Sequence, residues 1–389
     1  MDAVVVLALV AGLGLLMAGG ESLVRGAGSL ARTLGMSSLV VGLTVVSFTT
    51  SAPELVVSTD AALSGYPGLA VGNVVGSNIA NILLVLGAAA LFVPLAVGSQ
   101  VVRADIPVMA ALSAVVFLMA LDGGLGRVDG VVLFAVLLVY VTVTVLVSRR
   151  RAPHGSAFAR AGADGAGPGA DGRARAATRT RSVLVDLVFV VLGTALLVMG
   201  ARLLVYAAGT IAAALGVSDL LIGLTVVAVG TSLPELVTCV VAVVRGERDM
   251  AVGNVVGSNV FNIGAVLGLT AVVAPEGIAV APAALRFDLP IMVAVALVLL
   301  PVALTRLSVA RWEGALLVGF YAAYISYLVL EGTEHAALRP YSAAMLWFVI
   351  PLTVLWLLSV MVYELSTRRG GGRPGAVRVT SDGPGRGTG

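Results

Sequence analysis

The chain has 389 residues, of which 59% are hydrophobic and only 12% are charged. Soluble domains carry about 25% charged residues, so this composition indicates a polytopic membrane protein. All 24 basic residues are arginine, which excludes a Walker-type ATPase and a Schiff-base enzyme, since both need a lysine. No apolar stretch contains an HExxH, GxSxG or paired-aspartate motif either, so we predict a protein that is not an enzyme and needs no cofactor.

Apolar stretches long enough to cross the hydrocarbon core, about 20 residues, occur eleven times along the chain. The predicted spans are 3–20, 38–63, 69–93, 105–121, 128–148, 183–205, 219–244, 250–273, 288–305, 313–330 and 342–363. The segment 149–182 is rich in Gly, Ala and Arg and is interpreted as a flexible linker. Residues 364–389 are predicted to form a disordered tail.

The placement of the arginines favours one orientation in the membrane. The linker carries eight arginines against two aspartates, so the positive-inside rule predicts that it is cytoplasmic. Five spans precede it, which puts the N-terminus outside, and the eleventh span brings the C-terminal tail back inside. The prediction is a multi-pass protein of the inner (plasma) membrane.

The two halves of the chain are copies of one unit. Residues 42–87 align with 223–268 without a gap, and 27 of the 46 positions are identical. An odd number of spans in each copy forces the copies into opposite orientations, and inverted repeats with interrupted helices are typical of secondary transporters. We predict an all-α fold with two inverted five-helix repeats, at 1–148 and 183–330, and an extra eleventh helix at 331–363.

Each copy carries a short polar motif inside a span: TSAPEL at 50–55 and TSLPEL at 231–236. Pro53 and Pro234 lack an N–H, so each frees carbonyl groups where no water can satisfy them. Glu54 and Glu235 add carboxylates that are costly to bury, and neither span contains an arginine to neutralise them. Carbonyls, hydroxyls and carboxylates are the ligands of hard cations. The two glutamates together carry two negative charges, which suits one Ca²⁺, several Na⁺ or two protons.

The following span of each copy carries a polar stripe at i, i+4 and i+8, which lies on one helix face. The functional interpretation is that the stripes line the ion site, and the alternative, for Asn73 and Asn254, is hydrogen bonding between helices. Both spans also contain a G-x-x-x-G pattern, which favours close helix packing. The stripes are Asn73, Ser77 and Asn81, and Asn254, Ser258 and Asn262; the glycines are Gly72 and Gly76, and Gly253 and Gly257.

The stretch GLTVVSFTTSAPEL…GNVVGSNIANILLVLG and its second copy resemble the two α-repeats of the cation/Ca²⁺ exchanger superfamily, in its prokaryotic Na⁺/Ca²⁺ exchanger branch. The resemblance covers spans 1–10 and implies a ten-helix core, with helices 2, 3, 7 and 8 around the site. It also implies Na⁺-driven Ca²⁺ extrusion by alternating access, in which spans 1 and 6 slide past the core. Ca²⁺, Na⁺ and the lipid bilayer are the expected partners, and no nucleic acid is expected.

The resemblance assigns roles to twelve residues. Glu54 and Glu235, with the carbonyls of Thr50 and Thr231, are expected to hold Ca²⁺. The remaining eight residues are expected to serve the Na⁺ sites and a central position. They are Ser51, Ser77, Ser232 and Ser258, the carbonyls of Ser47 and Ala228, and, at the centre, Asn81 and Asn262.

Two features depart from the family pattern. Some members carry Asp where Asn262 stands, and an acidic residue there accompanies K⁺ dependence in one branch, so K⁺-independent transport is predicted. The eleventh span lies outside the ten-helix pattern.

The closest alternative function is a Ca²⁺/H⁺ antiporter. That branch usually has GNxPE or GNxxE where this chain has TS-x-PE, and the four paired serines of this chain favour Na⁺. A cation channel is a second alternative.

Overall fold

The computed structural model describes residues 3–151, 171–216, 226, 228–304 and 307–370. Over these ranges nine helices are long and apolar enough to cross a membrane, or ten if a bent pair is counted as one span. The predicted all-α membrane fold is confirmed. The predicted seventh span, 219–244, begins outside the described residues, so the count of eleven stays a prediction.

The spans keep the predicted order along the chain. They are α1 (Ala3–Leu34), α2 (Ser38–Thr50 and Ala52–Leu63), α3 (Pro67–Phe92), α4 (Val101–Asp122), α5 (Arg127–Arg150), α6 (Val183–Ala214), α7 (Ala228–Thr231 and Leu233–Val244), α8 (Arg248–Val273), α9 (Ala284–Leu304), α10 (Arg311–Gly332) and α11 (Leu338–Val362).

Helices α3 and α8 form the centre of the protein. Within their apolar windows 78% and 89% of the residues are buried, against 28–44% for the six helices α1, α4, α5, α6, α9 and α10. Because these outer helices are apolar but exposed, they present the surface that a lipid bilayer covers. Helix α11 is only 6% buried and lies at the periphery, so the extra helix adds nothing to the centre.

Helices α2 and α7 are interrupted where the two repeated motifs stand. α2 bends by 40° between Thr50 and Ala52, and α7 is broken at Ser232. In each case the proline takes the second position of the new helical segment, where an N–H would have no acceptor within that segment. The predicted interruptions are confirmed.

Two short strand pairs join loops of one repeat to loops of the other. β1 (Leu95–Ala96) pairs with β4 (Ser308–Val309), and β2 (Gly124–Leu125) pairs with β3 (Ile278–Ala279), both antiparallel. The α3–α4 loop therefore lies beside the α9–α10 loop, and the α4–α5 loop lies beside the α8–α9 loop. Equivalent loops of the two repeats thus face opposite ends of the molecule, as inverted repeats require.

The flexible linker predicted at 149–182 is helical at both of its ends. The helix of α5 continues to Arg151, and the helix of α6 begins at Asp171, well before its apolar part. Residues 171–182 are rich in Ala and Arg, which are strong helix formers, and this propensity outweighs the polar composition. Residues 152–170 lie outside the described ranges. The helix of α11 likewise continues to Gly370, into the segment predicted as a disordered tail.

Helices α1 and α6 pack along a line of glycines. A Cβ atom placed on Gly19 would lie 2.8 Å from the Gly193 carbonyl oxygen, and one placed on Gly12 would lie 3.0 Å from the Gly200 carbonyl oxygen. Only residues without a side chain allow two backbones to approach this closely. Each helix is 32 residues long, more than a perpendicular span needs, so both are expected to cross the bilayer with a tilt.

The second G-x-x-x-G pattern brings α8 against α2. A Cβ atom on Gly253 would lie 2.6 Å from the Leu39 carbonyl oxygen, and one on Gly257 would lie 2.7 Å from the Leu43 carbonyl oxygen. The predicted close approach is confirmed there. No described atom comes within 4 Å of a Cβ on Gly72 or Gly76. For these two glycines the predicted close approach stays a prediction.

We expect Gly257→Ala to destabilise the protein because the added methyl group meets backbone that cannot turn away. Overpacking of this kind costs about 1–3 kcal/mol. The measurement is the midpoint of thermal unfolding of the purified protein in detergent. Gly319→Ala is the control, since no described atom lies within 4 Å of a Cβ at that position of α10. Equal midpoints for the two variants would contradict the close α2–α8 packing.

Candidate functional site

Two buried carboxylates lie at the breaks in α2 and α7. Glu54 is 0% exposed and Glu235 is 1% exposed, and the charge of Glu235 acts on the Glu54 carboxyl. Within the described residues none of their four carboxylate oxygens accepts a hydrogen bond, and the ion pairs found there lie elsewhere, from Glu21 to Arg25 and Arg245. Buried charges without partners are strongly destabilising. The pair therefore needs cations or protons to neutralise it.

Thr50 joins the two repeats beside these carboxylates. Its hydroxyl donates to Asn254 Oδ1 at 3.3 Å, lies 3.2 Å from Ser258 Oγ, and is next to the Glu235 carboxyl. Ser47 adds a second link, since its hydroxyl lies 3.1 Å from the Asn254 carbonyl oxygen. Residues of the first repeat thus meet the polar stripe of the second, and neither repeat forms this wall alone.

Asn73 and Asn254 make hydrogen bonds of the kind that the alternative interpretation predicts. Asn73 Nδ2 donates to Ser58 Oγ at 2.9 Å and, more weakly, to the Glu54 carbonyl oxygen at 3.4 Å. Asn254 Oδ1 accepts from both Thr50 and Ser258. These two amides tie the stripes to neighbouring residues and leave the site itself to the other predicted side chains.

A set of buried side-chain oxygens has no hydrogen-bond partner in the described part of the chain. This set belongs to residues predicted for the ion sites, on four helices and in both repeats. Asp105 Oδ2 and Thr238 Oγ1 are also buried and unpaired among the described residues but lie outside the set. Since buried polar groups are nearly always hydrogen-bonded, unpaired oxygens concentrated in one place indicate a missing ligand. Oxygen atoms without donors suit a hard cation. They are Ser51 Oγ, Ser77 Oγ, Asn81 Oδ1, Ser232 Oγ and Asn262 Oδ1, together with the carboxylate oxygens of Glu54 and Glu235.

Asn81 and Asn262 each begin a π-helical turn, Asn81–Leu86 and Asn262–Leu267. The turn at Asn81 packs against the Leu233–Val244 segment that carries Glu235, and the turn at Asn262 packs against the Ala52–Leu63 segment that carries Glu54. Each central asparagine is therefore placed by one repeat beside the glutamate segment of the other. Turns of this type recur at functional sites because they redirect side chains within a helix.

The remaining predicted residues contribute less than expected or are only partly described. The Ser47 carbonyl already accepts from the Ser51 N–H at 3.0 Å and from the Thr50 hydroxyl at 3.4 Å, so it has less capacity left for an ion. Thr231 is half-buried and ends the short segment Ala228–Thr231, which packs against α3. For Ala228 the structure gives only this backbone position.

The charge of the site is low for a metal-binding protein. The described residues contain no group of three or more His, Cys, Asp or Glu side chains that could hold a metal ion. An ion between Glu54 and Glu235 would therefore rely on two carboxylates and on neutral oxygens. A site with fewer charged ligands binds a cation less tightly, so this arrangement suits an ion that must also leave.

Sequence reasoning passed over two further buried amides, Asn78 and Asn259. Asn81 Nδ2 donates to Asn259 Oδ1 at 3.2 Å, and Asn262 Nδ2 donates to Asn78 Oδ1 at 3.1 Å. Both lie off the i, i+4 stripe, which is why the stripe did not include them. Their presence in both copies of G-N-V-V-G-S-N was the available signal.

Comparison with known proteins identifies the family. The sodium/calcium exchanger protein family matches residues 4–146 and 185–330. The chain is 38% identical over 323 residues to the inner membrane protein YrbG of Escherichia coli, covering 82% of this chain and 95% of that one. It is 33% identical over 346 residues to the sodium/calcium exchanger MaX1 of Methanosarcina acetivorans, covering 83% and 97%.

A solved structure leads to the same conclusion. The sodium-calcium exchanger NCX_Mj, soaked with Na⁺ and Sr²⁺, is similar with a TM-score of 0.69 and 31% sequence identity, covering 84% of this chain and 99% of that one. The family match includes both repeats and leaves out the segment between them and helix α11. The chain belongs to the sodium/calcium exchanger family, and it is therefore a cation-exchanging membrane transporter and not an enzyme.

Proposed function

We propose that this protein exchanges Na⁺ for Ca²⁺ by alternating access, with inward Na⁺ movement driving Ca²⁺ out of the cell. The observation that carries the proposal is the pair Glu54 and Glu235, buried from opposite repeats without a hydrogen bond or ion pair in the described residues. MaX1 and NCX_Mj are both sodium/calcium exchangers by name, which supports the same cargo and counter-ion.

The proposed division of labour follows the chemistry of the ligands. Glu54 and Glu235, with the carbonyls of Thr50 and Thr231, hold Ca²⁺, because a divalent ion needs both charges. Na⁺ uses the same carboxylates with more neutral oxygens. These come from Ser51, Ser77, Ser232 and Ser258, from the Ser47 and Ala228 carbonyls, and from Asn81 and Asn262 at the centre.

Coupling between the two fluxes follows from the cost of an empty site. Without an ion, Glu54 and Glu235 leave two uncompensated charges in a low dielectric, which penalises the occluded state through which the protein must reorient. With Ca²⁺ or Na⁺ bound, the charge is balanced and the same movement becomes accessible. The protein then carries one ion out only by carrying the other back, which is exchange and not uniport.

The Ca²⁺/H⁺ antiporter remains the second candidate. Protons could neutralise Glu54 and Glu235 without help from any hydroxyl. In that case the unpaired hydroxyls of Ser51, Ser77 and Ser232 would have no function in the cycle, although each leaves a buried oxygen unsatisfied in the described structure. These three hydroxyls favour Na⁺.

We also propose K⁺-independent transport and a fixed orientation in the inner membrane. Asn262 is neutral where an acidic residue accompanies K⁺ dependence in one branch of the superfamily, so no carboxylate is available there for a further cation. The N-terminus is placed outside and the C-terminus in the cytoplasm on the strength of the arginine distribution. YrbG, an inner membrane protein, supports the location.

The test is ⁴⁵Ca²⁺ uptake by proteoliposomes loaded with Na⁺. We expect uptake that stops when choline replaces internal Na⁺, that is unchanged by adding K⁺, and that an imposed pH gradient does not drive in the absence of Na⁺. Uptake driven equally well by the pH gradient alone would transfer the assignment to the Ca²⁺/H⁺ antiporter. Uptake that needs no counter-ion at all would indicate a channel.

A further inference from the structure

Two chains of hydrogen bonds, each with residues from both repeats, end at the central asparagines. In the first, Asn259 Nδ2 donates to Met109 Sδ at 3.3 Å, and Asn259 Oδ1 accepts from Asn81 Nδ2 at 3.2 Å. Asn81 Oδ1 is left without a partner in the described residues. Each of the three residues is at most 1% exposed, so water does not compete for these contacts.

The second chain has the same order and direction. Asn78 Nδ2 donates to Met292 Sδ at 3.5 Å, and Asn78 Oδ1 accepts from Asn262 Nδ2 at 3.1 Å. Asn262 Oδ1 is again the atom left unpaired in the described part of the chain. A single such arrangement could be accidental. Its repetition by inverted copies, with methionine, asparagine and asparagine in matching places, indicates a shared purpose.

The methionines give each chain its direction. An asparagine amide has nearly the same shape when it is flipped, so packing alone does not decide whether its oxygen or its NH₂ group points toward a cation. A thioether sulfur accepts hydrogen bonds but cannot donate one. Beside Met109, Asn259 must therefore present Nδ2 to the sulfur and Oδ1 to Asn81. Asn81 must then donate through Nδ2, which leaves its oxygen for the ion.

We propose that Asn78 and Asn259 are positioning residues, and that Met292 and Met109 act through them to keep the side-chain oxygens of Asn262 and Asn81 directed at the transported cation. The proposal rests on the proposed function and deepens it. A flipped central asparagine would aim an NH₂ group at the cation, which repels it, and would set two amide oxygens against each other. The sulfur atoms thus act on the ion site without touching it.

The test is a set of double-mutant cycles on Ca²⁺ binding by the purified full-length protein. Binding is measured as the Ca²⁺ concentration that raises the thermal unfolding midpoint, which does not depend on the counter-ion. We expect Met109→Leu, which keeps the volume but removes the acceptor, to weaken apparent Ca²⁺ affinity about three- to tenfold. Met119→Leu is the matched control, since Met119 is partly buried in the same helix and takes no part in the chain. It should leave the affinity unchanged.

The cycle partner is Asn81→Asp, because a carboxylate has two accepting oxygens and no amide to orient. In that background Met109→Leu should have no further effect or should improve binding, since Asn259 must then turn its NH₂ group toward the aspartate. In an Asn262→Asp background, which belongs to the other chain, Met109→Leu should keep its full effect. Met292→Leu should show the reverse pairing.

Three results would overturn the proposal. One is a Met109→Leu effect that is the same in all backgrounds, and another is equal loss from Met119→Leu. Both leave the proposed function standing, because wild-type Ca²⁺ binding is intact in either case. The third is a wild-type protein that Ca²⁺ does not stabilise, which would end the proposed function and this inference together.

Discussion

Replacing Glu54 or Glu235 with glutamine is expected to abolish Na⁺-driven Ca²⁺ transport while making the ion-free protein more stable. The amide keeps the shape of the side chain but removes one of two charges on which Ca²⁺ depends. Loss of one member of a buried charge pair costs about 3–5 kcal/mol, which corresponds to more than 100-fold in affinity. In the absence of ions the same change relieves a buried charge with no partner in the described residues.

The opposite signs of these two effects make the measurement discriminating. The ⁴⁵Ca²⁺ uptake assay should fall to background for either variant, and the unfolding midpoint without Ca²⁺ should rise by about 1–3 °C. Asp60→Asn is the matched control, because Asp60 lies in the same helical segment as Glu54 but is exposed. It should change neither quantity. A glutamine variant that transports at the wild-type rate would show that Ca²⁺ transport does not depend on both carboxylates.

The sequence predicts the interruptions of α2 and α7 because proline acts locally. Pro53 and Pro234 end the hydrogen-bond ladder whatever surrounds them, so two residues are enough to place both breaks. The burial of Glu54 and Glu235 follows for a similar reason, since each lies within an apolar span. That both carboxylates belong to one site depends on the repeat, because inverted copies must meet about a shared axis.

Other features depend on contacts between distant segments, and the sequence does not reveal them. The strands β1 to β4 have two residues each, too short for any periodic pattern, and they exist because loops of opposite repeats lie side by side. Asn78 and Asn259 look like extra polar residues until their partners on other helices are known. The helix start at Asp171 does not follow from composition, because Gly, Ala and Arg together predict a linker although Ala and Arg also favour a helix.

The cross-repeat contacts explain why the duplication is retained within one chain. Thr50 of the first repeat lies beside Glu235 of the second, and the π-helical turn at Asn262 packs against the segment of Glu54. Both contacts combine groups from the two copies. A displacement of one repeat relative to the other therefore changes the ligand set directly, as a site that opens alternately to each side requires.

The line of glycines between α1 and α6 gives the second large expected effect, which is a loss of transport without a loss of Ca²⁺ binding. Gly19→Val places a branched side chain where a Cβ atom already lies 2.8 Å from the Gly193 carbonyl oxygen. If α1 and α6 slide past the core during exchange, wedging them apart should slow the movement. Overpacking of about 1–3 kcal/mol in the moving state corresponds to a fall in exchange rate of about 5-fold to 160-fold.

Gly14→Val is the matched control for this prediction. Gly14 lies on the same helix, and no described atom comes within 4 Å of a Cβ there, so helix propensity changes equally while packing does not. We expect Gly14→Val to exchange at the wild-type rate. In both variants the Ca²⁺ concentration that raises the unfolding midpoint should stay within about twofold of the wild-type value. None of the proposed ligands lies on α1 or α6, so retained binding with lost exchange separates movement from the ion site. Loss of binding by Gly19→Val would instead mean that the line of glycines supports the site itself, and sliding would no longer be needed to explain why these glycines are present.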